Sequence, residues 1–334
     1  MSTDVHYAYS VARIRTIENK LLDKAKLERM IESKTPDEAV KILLEAGYGD
    51  SSIAAGSVND YEKLLKEEEK KIFKLLKDIA PEPQIFDIFL YKNDYHNLKV
   101  ILKSEFLGQE NEELLLETGS ISAARLKIMV RERRLGELHP ITRKAVLEAV
   151  ELFNRTGDPQ NIDFILDKAC FLQMKEMAVG ANNKWISGLL EILIDLNNIK
   201  TFLRIKRLNR SWDFAQKVLL DGGKLSIKFF VDKLNSPIES FIEVLRFTSY
   251  SAACEEGIGN FQSTGSLSKL EKLIDNFIME YIKKTKLVFL GVEPLIGYLI
   301  AKETEIKNAR IIMVGKMNQI SSEIIRERLR EAYV

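Results

Sequence analysis

Three observations predict an all-α protein. Glycine and proline are scarce, 17 and 7 in 334 residues, while Leu, Ile, Glu and Lys abound, a balance that favours helix over sheet. Apolar residues recur at helical spacing along nearly the whole chain, and no stretch alternates as a half-buried strand does. Helix-start chemistry recurs as well: Thr35-Pro36-Asp37-Glu38 and Ser236-Pro237-Ile238-Glu239 each offer a capping hydroxyl, a proline at the first helical position and a carboxylate at the third.

In chain order, Val11, Ile14, Ile17, Leu21, Leu22, Leu27 and Met30 form one stripe and predict a single long helix over 7–31. The first capping box opens a helix through Leu44 that Gly47 stops. A charged helix follows over 60–79, ended by Pro81 and Pro83, and another over 85–107 with Gly108 as its stop. Helices are predicted over 121–135, from Pro140, over 162–179 and over 184–208, with Thr156-Gly157-Asp158-Pro159 as a turn. The uncharged GIGNFQSTGSLS, residues 257–268 with three glycines, reads as a loop. Helices over 270–290, 295–313 and 321–333 complete the chain.

A pattern repeats within these helices. Asp94–Asn97-Leu98-Lys99, Asp195–Asn198-Ile199-Lys200 and Glu305–Asn308-Ala309-Arg310 share an acid, two intervening positions, Asn, a small or branched apolar residue and a base. Each precedes an aliphatic-Ser pair, Ile121-Ser122, Leu225-Ser226 or Ile320-Ser321. The order predicts three similar helical units, divided as 1–115, 116–218 and 219–334. Asn is a poor mid-helix residue, so its side chain must be satisfied by something specific. A buried polar clamp between neighbouring helices and a direct partner contact both meet that need.

Composition excludes several classes. Fifty Lys and Arg against 49 Asp and Glu give a net charge of +1, unlike a polycation built for nucleic acid or anionic lipid. Cys170 and Cys254 form neither a disulfide framework nor a thiolate zinc site, and a reducing compartment is expected. MSTDVHYAYS lacks the basic start and apolar run of a secretory signal. The nearest approach to a membrane span, LVFLGVEPLIGYLIA at 287–301, is too short and is interrupted by Glu293-Pro294. Gly222-Gly223-Lys224-Leu225-Ser226 lacks the first glycine and the hydroxyl of a phosphate loop and reads as a helix–helix turn. His6, His96 and His139 make no metal motif, and no nucleophile–base pattern occurs, so no catalytic residue, cofactor or metal is expected. Charge is sorted locally: five Glu and no base over 104–120, then Arg125, Lys127, Arg131, Arg133, Arg134, Arg143 and Lys144. A second basic run comprises Lys200, Arg204, Lys206, Arg207 and Arg210. Solvated helix faces, docking to an acidic protein surface and, more weakly for want of aromatics, nucleic-acid binding are the readings of these runs.

YAYSVARIRTIENKLL (7–22), NDYHNLKVILK (93–103) and the ending GVEPLIGYLIAKETEIKNARIIMVGKMNQISSEIIRERLREAYV (291–334) resemble the central-stalk component of rotary V-type ATPases, known as the C subunit in archaeal and bacterial enzymes and as the d subunit in eukaryotic ones. The resemblance spans the chain and is most specific at the C-terminal end, in Gly291, Glu293-Pro294, Lys302-Glu303, Glu305, Asn308, Arg310, Arg326, Arg328-Leu329 and Tyr333. It implies a funnel-shaped all-α protein of three units about a pseudo-threefold axis. The family's members are non-catalytic, lie on the cytoplasmic face of the membrane as a peripheral part of the complex, and receive the shaft (D/F-type subunits) while seated on the proteolipid rotor ring. They pass on torque for ATP-driven ion transport or ion-driven ATP synthesis.

The family-motif positions carried over are Asn97, Lys99, Asn308 and Arg310, with Arg13 and Arg15 of the opening helix, in a framework or partner-binding role. Arg131, Arg133 and Arg134 are expected to face a neighbouring component of the complex. The alternatives are a free-standing helical-repeat scaffold for a soluble partner and, third, a nucleic-acid-binding helical protein.

Overall fold

The structure, a computed structural model, describes residues 3–49 and 60–334. No strand forms among these residues, and the helices are α1 (Ala8–Glu18), α2 (Lys24–Glu32), α3 (Pro36–Glu45), α4 (Tyr61–Ile79), α5 (Asp87–Leu107), α6 (Ala123–Arg131), α7 (Pro140–Thr156) and α8 (Gln160–Gly180). They continue with α9 (Lys184–Arg207), α10 (Trp212–Val218), α11 (Ile227–Val231), α12 (Ile238–Leu245), α13 (Ser251–Thr264), α14 (Ser268–Lys283), α15 (Glu293–Met317) and α16 (Ser322–Arg328). The all-α expectation is met.

Local chemistry explains several ends. Thr35 Oγ1 accepts from the Glu38 amide at 3.3 Å while the Glu38 carboxylate takes the Lys34 amide at 2.7 Å, so the first capping box opens α3. Gly108 and Gly157 close α5 and α7 in the left-handed conformation, with φ of 64° and 66°. Pro294 lies in the first turn of α15, where a missing N–H costs nothing.

Three expectations are corrected. The single helix predicted over 7–31 is broken between α1 and α2, because the Asp23 side chain takes the Lys26 amide and caps a new helix. The loop predicted over 257–268 is largely helix α13. Gly257 lets it press onto α14, where a Cβ would stand 2.8 Å from the Leu270 Cα. The helix predicted over 321–333 stops at Arg328, since the following residues are held extended by a side chain of α15. The short helix α10, absent from the sequence reading, forms behind the Ser211 cap.

The chain divides into two compact units, Met1–Pro83 with Phe241–Val334, and Gln84–Ser240. In the first, α15 packs against α1, α2, α3, α4, α14 and α16. Its buried positions fall on nearly every side, from Pro294 to Gly315, as befits a helix at the centre of a core. Its Ile306, Ala309, Ile312 and Met313 meet Leu27, Met30 and Ile31 of α2, Val40 and Leu43 of α3, and Leu64 and Leu65 of α4. In the second unit α8 packs between α5, α7 and α9. A buried triad of Tyr95, Thr142 and Gln173 ties α5, α7 and α8: the Tyr95 hydroxyl donates to Gln173 Oε1 at 2.8 Å and the Thr142 hydroxyl reaches the same oxygen at 2.6 Å.

Candidate functional site

The three Asn helices, α5, α9 and α15, carry the same fastening. Asn97 Nδ2 donates to the Leu116 carbonyl at 2.9 Å and Asn97 Oδ1 accepts from the Leu116 amide at 2.8 Å. Asn198 makes both bonds with Leu220 at 2.8 Å, and Asn308 makes them with Arg330 at 3.0 and 2.9 Å. All three asparagines are buried. A primary amide presents one donor and one acceptor along one edge, which matches the N–H and C=O of a single extended residue. Asp lacks the donor and Gln is one methylene too long, so the geometry selects Asn. The polar clamp expected between helices is thus a clamp from each helix onto an extended segment that follows it.

The acid three residues earlier lies on the same helix face and gathers N–H groups. Asp94 accepts from the amides of Ser120 and Ile121, both at 3.2 Å, and from the Ser120 hydroxyl. Asp195 accepts from the amides of Lys224 and Leu225 at 3.1 and 3.0 Å. A Cβ at Gly119 or Gly223 would fall onto these carboxylates, so glycine is required there for close approach. This is the physical content of the glycine pair that imitates a phosphate loop. Burial pushes the Asp94 carboxyl up to about 6 despite its donors.

The third acid, Glu305, closes on the opening segment of the chain. It accepts the Leu22 amide, and Leu22 precedes the Asp23 cap of α2 just as Ile121 and Leu225 precede the Ser122 and Ser226 caps of α6 and α11. The structure therefore corrects the third aliphatic-Ser pair. Ser321 stands at the start of α16, as Ser211 does at the start of α10, and Leu22-Asp23 takes the role assigned to Ile320-Ser321.

Glu305 is also part of a buried ion group that sequence reading missed. Lys302 Nζ lies 2.6 Å from Glu305 Oε1 and 2.9 Å from Glu68 Oε1, and 4.3 Å from the centre of the Tyr48 ring. The Tyr48 hydroxyl donates to Glu305 at 2.5 Å, and burial raises its pKa well above the usual phenol range. One ammonium thus serves two carboxylates, and α15, α4 and the turn after α3 are held by charge-assisted bonds. The Lys302–Glu305 spacing of three along a helix was the available signal; Glu68, one of many acids on α4, offered none.

The carried-over residues fall in different settings. Arg15 is partly buried: its Nη1 donates to both Glu18 carboxylate oxygens at 2.8 and 2.9 Å, and its Nη2 to the Thr285 and Val288 carbonyls at 2.6 and 3.0 Å. Arg13 is exposed beside Tyr9, 3.4 Å from its hydroxyl. Lys99 pairs with Asp167 at 2.7 Å. Arg310 holds Glu62 through Nε and Nη2 at 3.0 and 2.8 Å. Arg131 pairs with Glu110 at 2.8 Å, Arg133 with Glu105 at 2.5 Å, and Arg134 with Glu137. The acidic run over 104–120 therefore folds against the basic run that follows it, through ion pairs that are mostly solvent-exposed. Among the described residues no group of three or more His, Cys, Asp or Glu is placed to hold a metal ion.

These features define a class of protein: an all-helical chain whose buried polar residues fasten helices to the segments that follow them. The chain belongs to the ATP synthase (C/AC39) subunit family, whose model matches residues 10–328. It is 32% identical over 322 residues to the C subunit of the V-type sodium ATPase of Enterococcus hirae, covering 96% of this chain and 97% of that protein. It is 30% identical over 346 residues to the C subunit of the A-type ATP synthase of Methanocaldococcus jannaschii, covering 97% and 86%. A relative from Methanobrevibacter smithii with the same description is 26% identical over 328 residues, covering 93% and 84%.

Proposed function

We propose that this chain is the non-catalytic central-stalk subunit of a V/A-type rotary ATPase, joining D/F-type shaft subunits to the membrane proteolipid ring and transmitting torque between them. The observation that carries the reading is the full-length match to the C subunits of V-type and A-type enzymes. No described helix is long and apolar enough to cross a membrane, which accords with a peripheral position on the cytoplasmic face of the complex.

The fastenings suit a part that must transmit twist without yielding. Each Asn clamp and its acid replace water-exchangeable loop contacts with buried hydrogen bonds, and such fully paired polar groups favour a single arrangement. Their threefold recurrence supports the reading of three similar units. Arg131, Arg133 and Arg134 belong to this proposal as part of a docking face, with exposed ion pairs that a partner's carboxylates are able to replace.

The test is a tagged pull-down from gently solubilised host membranes with mass spectrometry of every co-purifying chain. Recovery of a proteolipid, shaft subunits and nucleotide-binding head subunits is expected. Recovery of soluble partners only, with no tagged chain in the membrane fraction, refutes the proposal in favour of a free-standing scaffold. Charge reversal at Arg131, Arg133 and Arg134 that leaves assembly unchanged at moderate salt removes the docking face from it.

A further inference from the structure

The apolar run over 287–301 divides in the fold. Its second half is the buried start of α15, but its first half lies in the connection before that helix and faces outward. Leu287 is 79% exposed, Phe289 81% and Leu290 42%. Solitary exposed apolar residues are ordinary, but three in four consecutive positions are not.

This connection is braced from beneath. Arg15 donates to the Thr285 and Val288 carbonyls, and the Val288 amide bonds to the Thr285 carbonyl at 3.0 Å. Thr285 is fully buried against α15, where a Cβ at Gly297 would strike its side chain. The apolar tip is thus carried on a braced base. Charge is arranged around it. Lys283, Lys284 and Lys286 precede it, and the next acid along the chain is Glu293, at the start of α15. Lys284 and Lys286 are exposed. Lys286 donates to the Tyr333 carbonyl at 2.6 Å. Among the nearby acids, Glu280 and Glu331 are paired with Lys283, and Glu18 is bidentate to Arg15. An aromatic and two leucines beyond a collar of lysines is the composition that enters the headgroup layer of a bilayer, apolar groups among the upper acyl carbons and ammonium groups against lipid phosphates.

We propose that the Leu287–Leu290 tip is a membrane-surface contact that inserts into an anionic lipid headgroup layer, with Lys284 facing the phosphates. The occupant is lipid because the tip is small and projecting and the exposed Lys284 stands beside it, whereas a protein socket for it requires a matching cavity. The contact is weak alone, adding to whatever else holds the chain at a membrane, and it stands independently of the rotary proposal.

The experiment is flotation of the purified full-length protein with vesicles of phosphatidylcholine and phosphatidylglycerol at 3:1, against phosphatidylcholine alone. Binding to the anionic vesicles is expected, reduced about fivefold by Lys284→Gln and abolished by the double variant Leu287→Ser/Phe289→Ser. Thermal melting followed by circular dichroism should be unchanged in all variants, because these side chains are exposed. A Phe289→Trp variant should shift its emission to the blue and be quenched by brominated acyl chains on the same vesicles. No binding to anionic vesicles overturns the proposal, as does binding that the double variant leaves intact. A double variant that keeps vesicle binding but loses proteolipid in detergent assigns the tip to a protein socket and equally overturns it. Failure to co-purify ATPase subunits bears on the rotary proposal alone, since the vesicle assay contains none of them.

Discussion

Replacing Asn198 with Ala tests the fastening where it is most enclosed. Asn198 is fully buried, its two partners belong to the buried Leu220, and both bonds measure 2.8 Å. The substitution removes two hydrogen bonds and leaves a buried N–H and C=O unpaired, each costing about 1–3 kcal/mol. Ala recovers about 0.5 kcal/mol of helix propensity over Asn. The expected loss is therefore about 2–5 kcal/mol. Equilibrium denaturation in urea, followed by circular dichroism, measures it. Asn154→Ala on the exposed side of α7 is the control, expected to be neutral or slightly stabilising. Hydrogen exchange supplies a local readout, because the Leu220 amide should lose its protection in the variant while amides within α9 keep theirs. An Asn198→Ala protein as stable as the Asn154→Ala control, with Leu220 still protected, would show that general burial, and not the clamp, fixes this segment.

Gly223→Ala should destabilise by about 1–3 kcal/mol, because its Cβ must displace the Asp195 carboxylate, and heat denaturation alongside wild type reads this directly. Lys302→Met leaves Glu305 and Glu68 buried without their shared cation and should cost about 3–5 kcal/mol at neutral pH. A Lys302→Met protein that melts with wild type in urea would count against the buried ion group. Asp94 binds its proton more tightly folded, at about 6, than unfolded, at about 3.9. Its contribution to stability is fully present below pH 4 and fades as the pH rises through 6, by at most about 1.4 kcal/mol per pH unit. Asp94→Asn should flatten the stability–pH curve in that window relative to wild type. Burial raises both the Cys170 and Cys254 thiols to about 12, so Ellman's reagent should react with neither in the native protein and with both in guanidinium chloride.

The features legible in the amino-acid order are those that depend on neighbours within a turn or two. The helical class follows from periodicity and scarce glycine. The start of α3 follows from Thr35-Pro36-Asp37-Glu38, and the end of α5 from a glycine free to adopt positive φ. The recurrence of acid and Asn was also visible, because a polar residue inside an apolar helix is conspicuous at any position. What those residues hold was settled by tertiary packing. Nothing near Asn308 points to Arg330, and nothing near Glu305 points to Leu22, because each bond is set by where the extended segments return. The same limit explains the errors. Gly257 looked like a loop residue because local propensity penalises glycine in helices, but in α13 its missing side chain is what admits α14. Leu22 continued an apolar stripe, yet a carboxylate 283 residues away in the chain and a local cap at Asp23 together outweigh the few tenths of a kcal/mol per residue that periodicity contributes. Helix propensity is summed over short windows, whereas a buried carboxylate or amide must find its partner wherever the fold supplies one, and that requirement is written only in three dimensions.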